Sequence, residues 1–232
     1  MRYSKRLRTT TALGAVLALS ASSSLWAATF NITESDDLSA TVASAASGDT
    51  INLADGMYTL SGSLSILKAL TITGASENGV IIDASGNGTG YGIQVRADDV
   101  TLSNFTLNPP VVSASLGSSG GGGFAIHASY DNTGAENDSF DNLTLSDITI
   151  NNGNRTPFDV HGYDGVTLQN LTATGSAYGN GIQVSGCQDV TFSNCTTSGN
   201  EWGGIAVYVS RDIYLSRGSS NVDFDWKSPL SR

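Results

Sequence analysis

The chain has 232 residues, enough for one domain or two small ones with a buried core. Charged residues make up 14%, hydrophobic residues 39% and Gly numbers 27, which excludes a coiled coil and a disordered chain. The formal net charge of −10 leaves no basic patch for phosphates and argues against nucleic acid as a partner.

Residues 1–27 read as a signal peptide. Arg2, Lys5, Arg6 and Arg8 precede the apolar run 12–19, and small residues 20–24 lead to Ala27 and Ala28. The run is too short to span a bilayer, and no second candidate follows. The expectation is a secreted or periplasmic protein, cleaved near Ala27, with no membrane insertion after signal cleavage. The mature chain keeps 7 basic residues against 21 acidic ones, a net charge of −14.

Residues 35–46 predict a short capping helix. Ser35 is placed at its N-cap, Asp36 and Asp37 favour its first turn, and Leu38, Val42 and Ala45 share a face. Gly48 to Leu53 then opens the first coil. Beyond it one strand recurs as Val100-Thr-Leu, Leu143-Thr-Leu, Val166-Thr-Leu, Val190-Thr-Phe and Ile213-Tyr-Leu, at spacings of 43, 23, 24 and 23 residues. A second recurs as Ile93-Gln-Val-Arg96, Phe124-Ala-Ile-His127, Phe158-Asp-Val-His161, Ile182-Gln-Val-Ser185 and Ile205-Ala-Val-Tyr208. Both alternate apolar and polar, the period of a half-buried strand. A period near 23 without a helical pattern excludes a propeller, and the absent Leu-x-x-Leu-x-Leu pattern excludes a leucine-rich repeat. The fold class expected is all-β, a right-handed parallel β-helix of about six coils spanning 28–217, with strand starts at Leu70, Val100, Leu143, Val166, Val190 and Ile213. Residues 218–232 form a tail, read either as a cap containing Phe224 and Trp226 or as a point of truncation.

Asn104, Asp147, Asn170 and Asn194 hold one position in successive repeats, followed by Thr106, Thr149, Thr172 and Thr196. This predicts a side-chain ladder along the axis rather than glycosylation sites. Cys187 and Cys195 are separated by an extended strand, which carries them beyond the disulfide limit of roughly 7 Å. Both are expected as free thiols, Cys195 in the core and Cys187 in a turn.

The stretch Gly48 to Tyr58, Leu70-Thr-Ile-Thr-Gly74 and the later coils resemble the pectin-lyase-like right-handed parallel β-helix superfamily over residues 30–217. That resemblance implies the fold and, through lyases, hydrolases and epimerases, a polysaccharide as partner. Phe158-Asp-Val-His161 is also similar to the Phe-Asp-Pro-His motif of alginate epimerases, with Asp159 and His161 at its acidic and histidine positions. Val160 replaces the proline, Thr156 stands at that family's tyrosine and Ser185 at its second aspartate.

Aligning the second strand puts Arg96, His127, His161, Ser185 and Tyr208 in one outward column, with Gln94, Ala125, Asp159, Gln183 and Ala206 beside it. Proton abstraction next to a uronate carboxylate needs a cation, a base and an acid. Arg96 is the candidate cation, His127 or His161 the base, Asp159 the orienting acid and Tyr208 the proton donor. Gln94, Gln183 and Ser185 complete the substrate-binding set. Loops 108–123 and 129–141 are expected to wall the groove, and Trp202 is read as the cover of a turn, with a stacking platform for a sugar as the alternative. No cofactor is certain, but a Ca²⁺ site is a candidate among Asp98, Asp99, Asp138 and Asp141. An inert face on a non-catalytic surface or structural module fits the same residues.

Overall fold

Alternation buries every second residue of a strand, and a chain of such strands can cover its apolar faces only by coiling and stacking. The computed structural model shows this arrangement for residues 26–88, 90–113, 122–129, 139–216 and 224–225, the described part of the chain. All strand pairings are parallel, and each joins one coil to the next. The main path of an 11-stranded sheet runs Thr29–Ile32, Thr50–Leu53, Thr71–Gly74, Val100–Asn108, Phe140–Asn151, Tyr163–Thr174, Gln188–Ser193 and Ile213–Ser216. A 7-stranded sheet stacks Leu64–Ile66, Tyr91–Val95, Phe124–Ser129, Phe158–His161, Asn180–Ser185, Gly203–Tyr208 and Phe224–Asp225. The six predicted strand starts all lie in or beside this stack. Two further rungs, Thr29–Ile32 and Thr50–Leu53, precede them.

The core is a set of columns of like residues. Ile51, Ile72, Leu102, Leu145, Leu168 and Phe192 follow one another along the first sheet. Ile93, Ile126, Phe158, Ile182 and Ile205 do the same along the second. All are buried. Each side chain packs against its neighbours in the rungs above and below, so an apolar column is continuous through the molecule.

The helix is shorter than its pattern suggested, Leu38–Ser44, and its N-cap is Asp37 rather than Ser35. Asp37 Oδ1 accepts from Ala40 N at 3.0 Å, while the Ser35 hydroxyl turns back to Thr33 Oγ1 at 2.8 Å. A carboxylate at the N-cap also meets the positive end of the helix dipole. Leu38 and Val42 are buried, and the helix packs on Leu64–Ile66, the first strand of the second sheet.

The polar ladder is present and its geometry explains the residue choice. Asn104, Asp147, Asn170 and Asn194 have φ of 59°, 54°, 51° and 52°, the left-handed region that Asn and Asp enter most readily among non-Gly residues. Asn170 Nδ2 donates to Asp147 Oδ1 at 2.7 Å, and Asn194 Nδ2 donates to Asn170 Oδ1 at 3.1 Å. A second corner repeats the device, where Asn142 Nδ2 donates to Asp99 Oδ1 at 2.8 Å. Both cysteines are free and buried. Cys187 does lie between two strands, yet its side chain belongs to the core rather than to a surface turn. The leader residues 1–25, most of the two predicted wall loops (114–121 and 130–138) and Trp226 lie outside the described residues. Phe224–Asp225 of the predicted tail pairs with Ile205–Ala206, so the stack reaches past residue 217.

One corner breaks its own rule. Gly162 and Gly186 follow the paired residues His161 and Ser185 at φ of 66° and 63°. The next rung puts Val209 there, at φ 50° and 81% exposed. A left-handed backbone costs a non-Gly residue about 1–2 kcal/mol, and a β-branched one least tolerates it. Val209→Gly is expected to raise stability by about 0.5–1 kcal/mol after the entropy cost of glycine, read as a higher urea midpoint. Gly186→Ala, whose added methyl meets nothing within 4 Å, should lower it by about 1–2 kcal/mol through φ alone.

Candidate functional site

The outer face of the second sheet carries the candidate residues, and the strand register decides which of them meet. Ile126 pairs with both Ile93 and Phe158, so His127 pairs with Gln94 and Asp159. The two columns are therefore Gln94, His127, Asp159, Gln183, Ala206 and Arg96, Ser129, His161, Ser185, Tyr208. This corrects the expected alignment at one strand, Phe124–Ser129, by two residues. His127 leaves the Arg96 column, and Ser129 takes its place. Ala125 shares the outward parity of His127 but is fully buried. A two-residue slip preserves the alternation of faces, so the pattern could not register it.

The correction brings both histidines onto one carboxylate. His127 Nδ1 lies 2.8 Å from Asp159 Oδ2, and His161 Nε2 lies 2.9 Å from Asp159 Oδ1. Gln183 Nε2 donates to the same Oδ1 at 2.9 Å, and Asn180 Nδ2 donates to Gln183 Oε1 at 3.0 Å, which fixes the orientation of that amide. Asp159 is 1% exposed, whereas the side chains of His127 and His161 keep 15% and 30% of their surface. Burial of Asp159 opposes its ionisation, but the hydrogen bonds and charge of the two histidines outweigh burial and hold its carboxyl below the usual range. An ionised carboxylate only accepts, so both imidazoles donate to it. The other ring nitrogens, His127 Nε2 and His161 Nδ1, then carry the lone pairs of the neutral rings. Burial alone would depress the His161 imidazole, yet its bond to Asp159 and that carboxylate's charge raise it.

Tyr91, Phe124, Arg155 and Asn180 belong to this neighbourhood and were not singled out from the sequence. Tyr91 stacks on His127 with ring centroids 4.6 Å apart, and Phe124 sits 5.2 Å from the same ring. The Arg155 guanidinium lies over Phe124 at 5.1 Å and over Trp202 at 5.0 Å. Burial lowers the Arg155 pKa while the charge on Asp159 opposes that. Arg155 lies in the polar run 151–157 and Asn180 opens a core strand, so neither stood out by pattern.

The remaining predicted residues are spread along the column. Arg96 follows Val95, the partner of Ala128, so it is reached from His161 only across Ser129, two rungs away, and Tyr208 only across Ser185. At about 4.8 Å per rung, Arg96 and Tyr208 each stand about 10 Å from His161 by backbone position. His127, Asp159 and His161 are the one group among the described residues whose His, Cys, Asp or Glu ligand atoms fall within 4.8 Å of one another. Their near-ring nitrogens and carboxylate oxygens already satisfy each other, and a set with two imidazoles suits a transition metal rather than Ca²⁺. Of the expected calcium ligands, Asp98 Oδ1 accepts from Asp141 N at 2.8 Å, Asp99 serves the corner ladder, and Asp138 lies outside the described residues.

The cluster makes stability depend on pH in two directions. Asp159, lowered in the fold, contributes stability above the ordinary carboxylate pKa of about 4, lost as pH falls through its folded value. His161, raised in the fold, contributes below the ordinary imidazole value of about 6.5, lost as pH rises through its folded value. The urea midpoint should therefore be highest between about pH 4 and 6.5, and Asp159→Asn should flatten both limbs.

Comparison with known proteins places the chain among solenoids. The family model for the right-handed beta helix region matches residues 67–222. No curated protein matches the chain. A solved "putative glycosyl hydrolase" from Parabacteroides merdae ATCC 43184 is similar at a TM-score of 0.56 and 11% identity, covering 80% of this chain and 93% of that one. An alginate lyase from Paenibacillus sp. str. FPU-7 is similar at a TM-score of 0.58 and 18% identity, covering 81% of this chain. The chain spans 64% of the length of that lyase. At these identities the likeness is one of fold.

Proposed function

The chain belongs to the right-handed β-helix family, and on that footing we propose that it is an exported protein that binds or modifies polysaccharide by proton abstraction on a uronate glycan. The observation that carries this reading is the buried Asp159 held between two partly open histidines. The hydrogen on the carbon beside a uronate carboxylate is the one a base near neutrality can remove. His161 is the more open ring, and Asp159 accepts its Nε2–H at 2.9 Å. Its Nδ1 takes the proton, and Asp159 stabilises the imidazolium that forms. The carbanion then either expels the oxygen on the neighbouring carbon, as a lyase, or regains a proton on its other face, as an epimerase. His127 Nε2 is the second group able to move that proton.

The column Arg96, Ser129, His161, Ser185 and Tyr208 supports a polymeric ligand. It offers polar groups at every rung, about 4.8 Å apart, along which a chain of repeating sugars can lie. Arg96 then meets a carboxylate on a unit beside the one that reacts.

The test incubates the protein with acidic and neutral polysaccharides and follows unsaturated-product absorbance, reducing ends and epimerisation by NMR. Turnover is expected on a uronate polymer, rising with pH as His161 loses its proton. His161→Gln should lower it at least about 100-fold with the β-rich circular dichroism unchanged. Retained activity in that variant, or no action on any uronate polymer, overturns the proposal. Glycan binding without turnover would assign the face to a non-catalytic carbohydrate module.

A further inference from the structure

The geometry points to cleavage between Ala27 and Ala28, with the new amino terminus of Ala28 captured by the carboxylate of Asp49. Ala28 is where the fold takes hold of the chain. Its nitrogen lies 2.7 Å from Asp49 Oδ1, and its carbonyl accepts from Thr50 N at 2.8 Å. Asp49 is 4% exposed, and its second oxygen accepts from Ala46 N at 2.7 Å. Upstream, Trp26 is 86% exposed, and Ala27 and Ala28 are exposed. The side chain of Asp49 thus sits between the start of the first rung and the end of the capping helix, with one oxygen for each.

The position of the cut follows from these bonds. Removing Ala28 as well would strip Asp49 Oδ1 and Thr50 N of their partners, at the cost of two unsatisfied groups at a buried edge. Leaving residues ahead of Ala28 keeps only a neutral amide on Asp49. Hydrolysis of the Ala27–Ala28 bond on the emerging chain consumes one water. It leaves a carboxylate on Ala27 of the released leader and an ammonium on Ala28. The bond to Asp49 then becomes charge-assisted at a length, 2.7 Å, already typical of such pairs. Ala27 supplies the small residue that a leader peptidase needs immediately before the cut.

This inference rests on the export reading, and the two fail separately. The full chain, with its leader, is expressed in an exporting bacterial host, and the product is read by intact mass and N-terminal sequencing. Ala28 is expected as the first residue. An unprocessed chain overturns both readings, and a first residue other than Ala28 overturns the capture alone. Thermal unfolding supplies a second measurement. A chain released from a fusion at Ala28 should melt about 2–4 °C above one carrying an extra glycine ahead of Ala28. Asp49→Asn in both should close that gap. Equal melting of the two Asp49 chains overturns the capture.

Discussion

Parallel pairing of each strand with its counterpart one coil away is the constraint on which everything else depends. It fixes the distance between rungs at about 4.8 Å and stacks equivalent residues directly over one another. The apolar columns, the Asn and Asp ladders and the outward histidines are three uses of that one alignment. A side chain is thereby judged twice, once for its place in the coil and once against its neighbours in the rungs on either side. The ladder shows the combination most clearly. A left-handed corner asks for Gly, Asn or Asp, and stacking asks for a group that both donates and accepts. Asn170, which donates to Asp147 and accepts from Asn194, meets both demands.

The same alignment explains what could be read from the sequence. Repeats such as Val166-Thr-Leu and Val190-Thr-Phe carried the fold because period and alternation are properties of the chain itself. The corner ladder was legible for the same reason. Asp159, His161, Gln183 and Ser185 were aligned correctly, since the repeats holding them are uninterrupted. His127 was misplaced because insertions flank Phe124–Ser129, and a slip of two residues leaves the faces unchanged. Only packing resolves it, through Ile126 stacking between Ile93 and Phe158. Tyr91 and Arg155 reach the site across rungs by ring and cation–π contacts, which have no period to detect. The helix cap was displaced by two residues, from Ser35 to Asp37, within a run where Ser, Asp and Asp all qualify.

Electrostatically, the site differs from the rest of the surface. The chain is acidic overall, yet its single buried outward carboxylate on this face is surrounded by donors. An ionised Asp159 is a fixed negative centre that selects the tautomer of each ring by accepting its near N–H, rather than an acid open to solvent. A rigid anion behind two partly open imidazoles is a preorganised arrangement, since no side chain has to turn when one ring gains a proton.

The spacing of the partners has a consequence for how the molecule is completed. His127 and Asp159 are 32 residues apart, and neither coil contains the cluster by itself. Ala28 and Asp49, by contrast, are joined across 21 residues at the very start of the described chain. Synthesis delivers a polypeptide amino end first, so the anchoring rung is available before the histidine-bearing face is. Each later strand adds to an edge already formed, so assembly can proceed as zippering in one direction, and the histidine pair becomes complete only when the strand Phe158–His161 has docked.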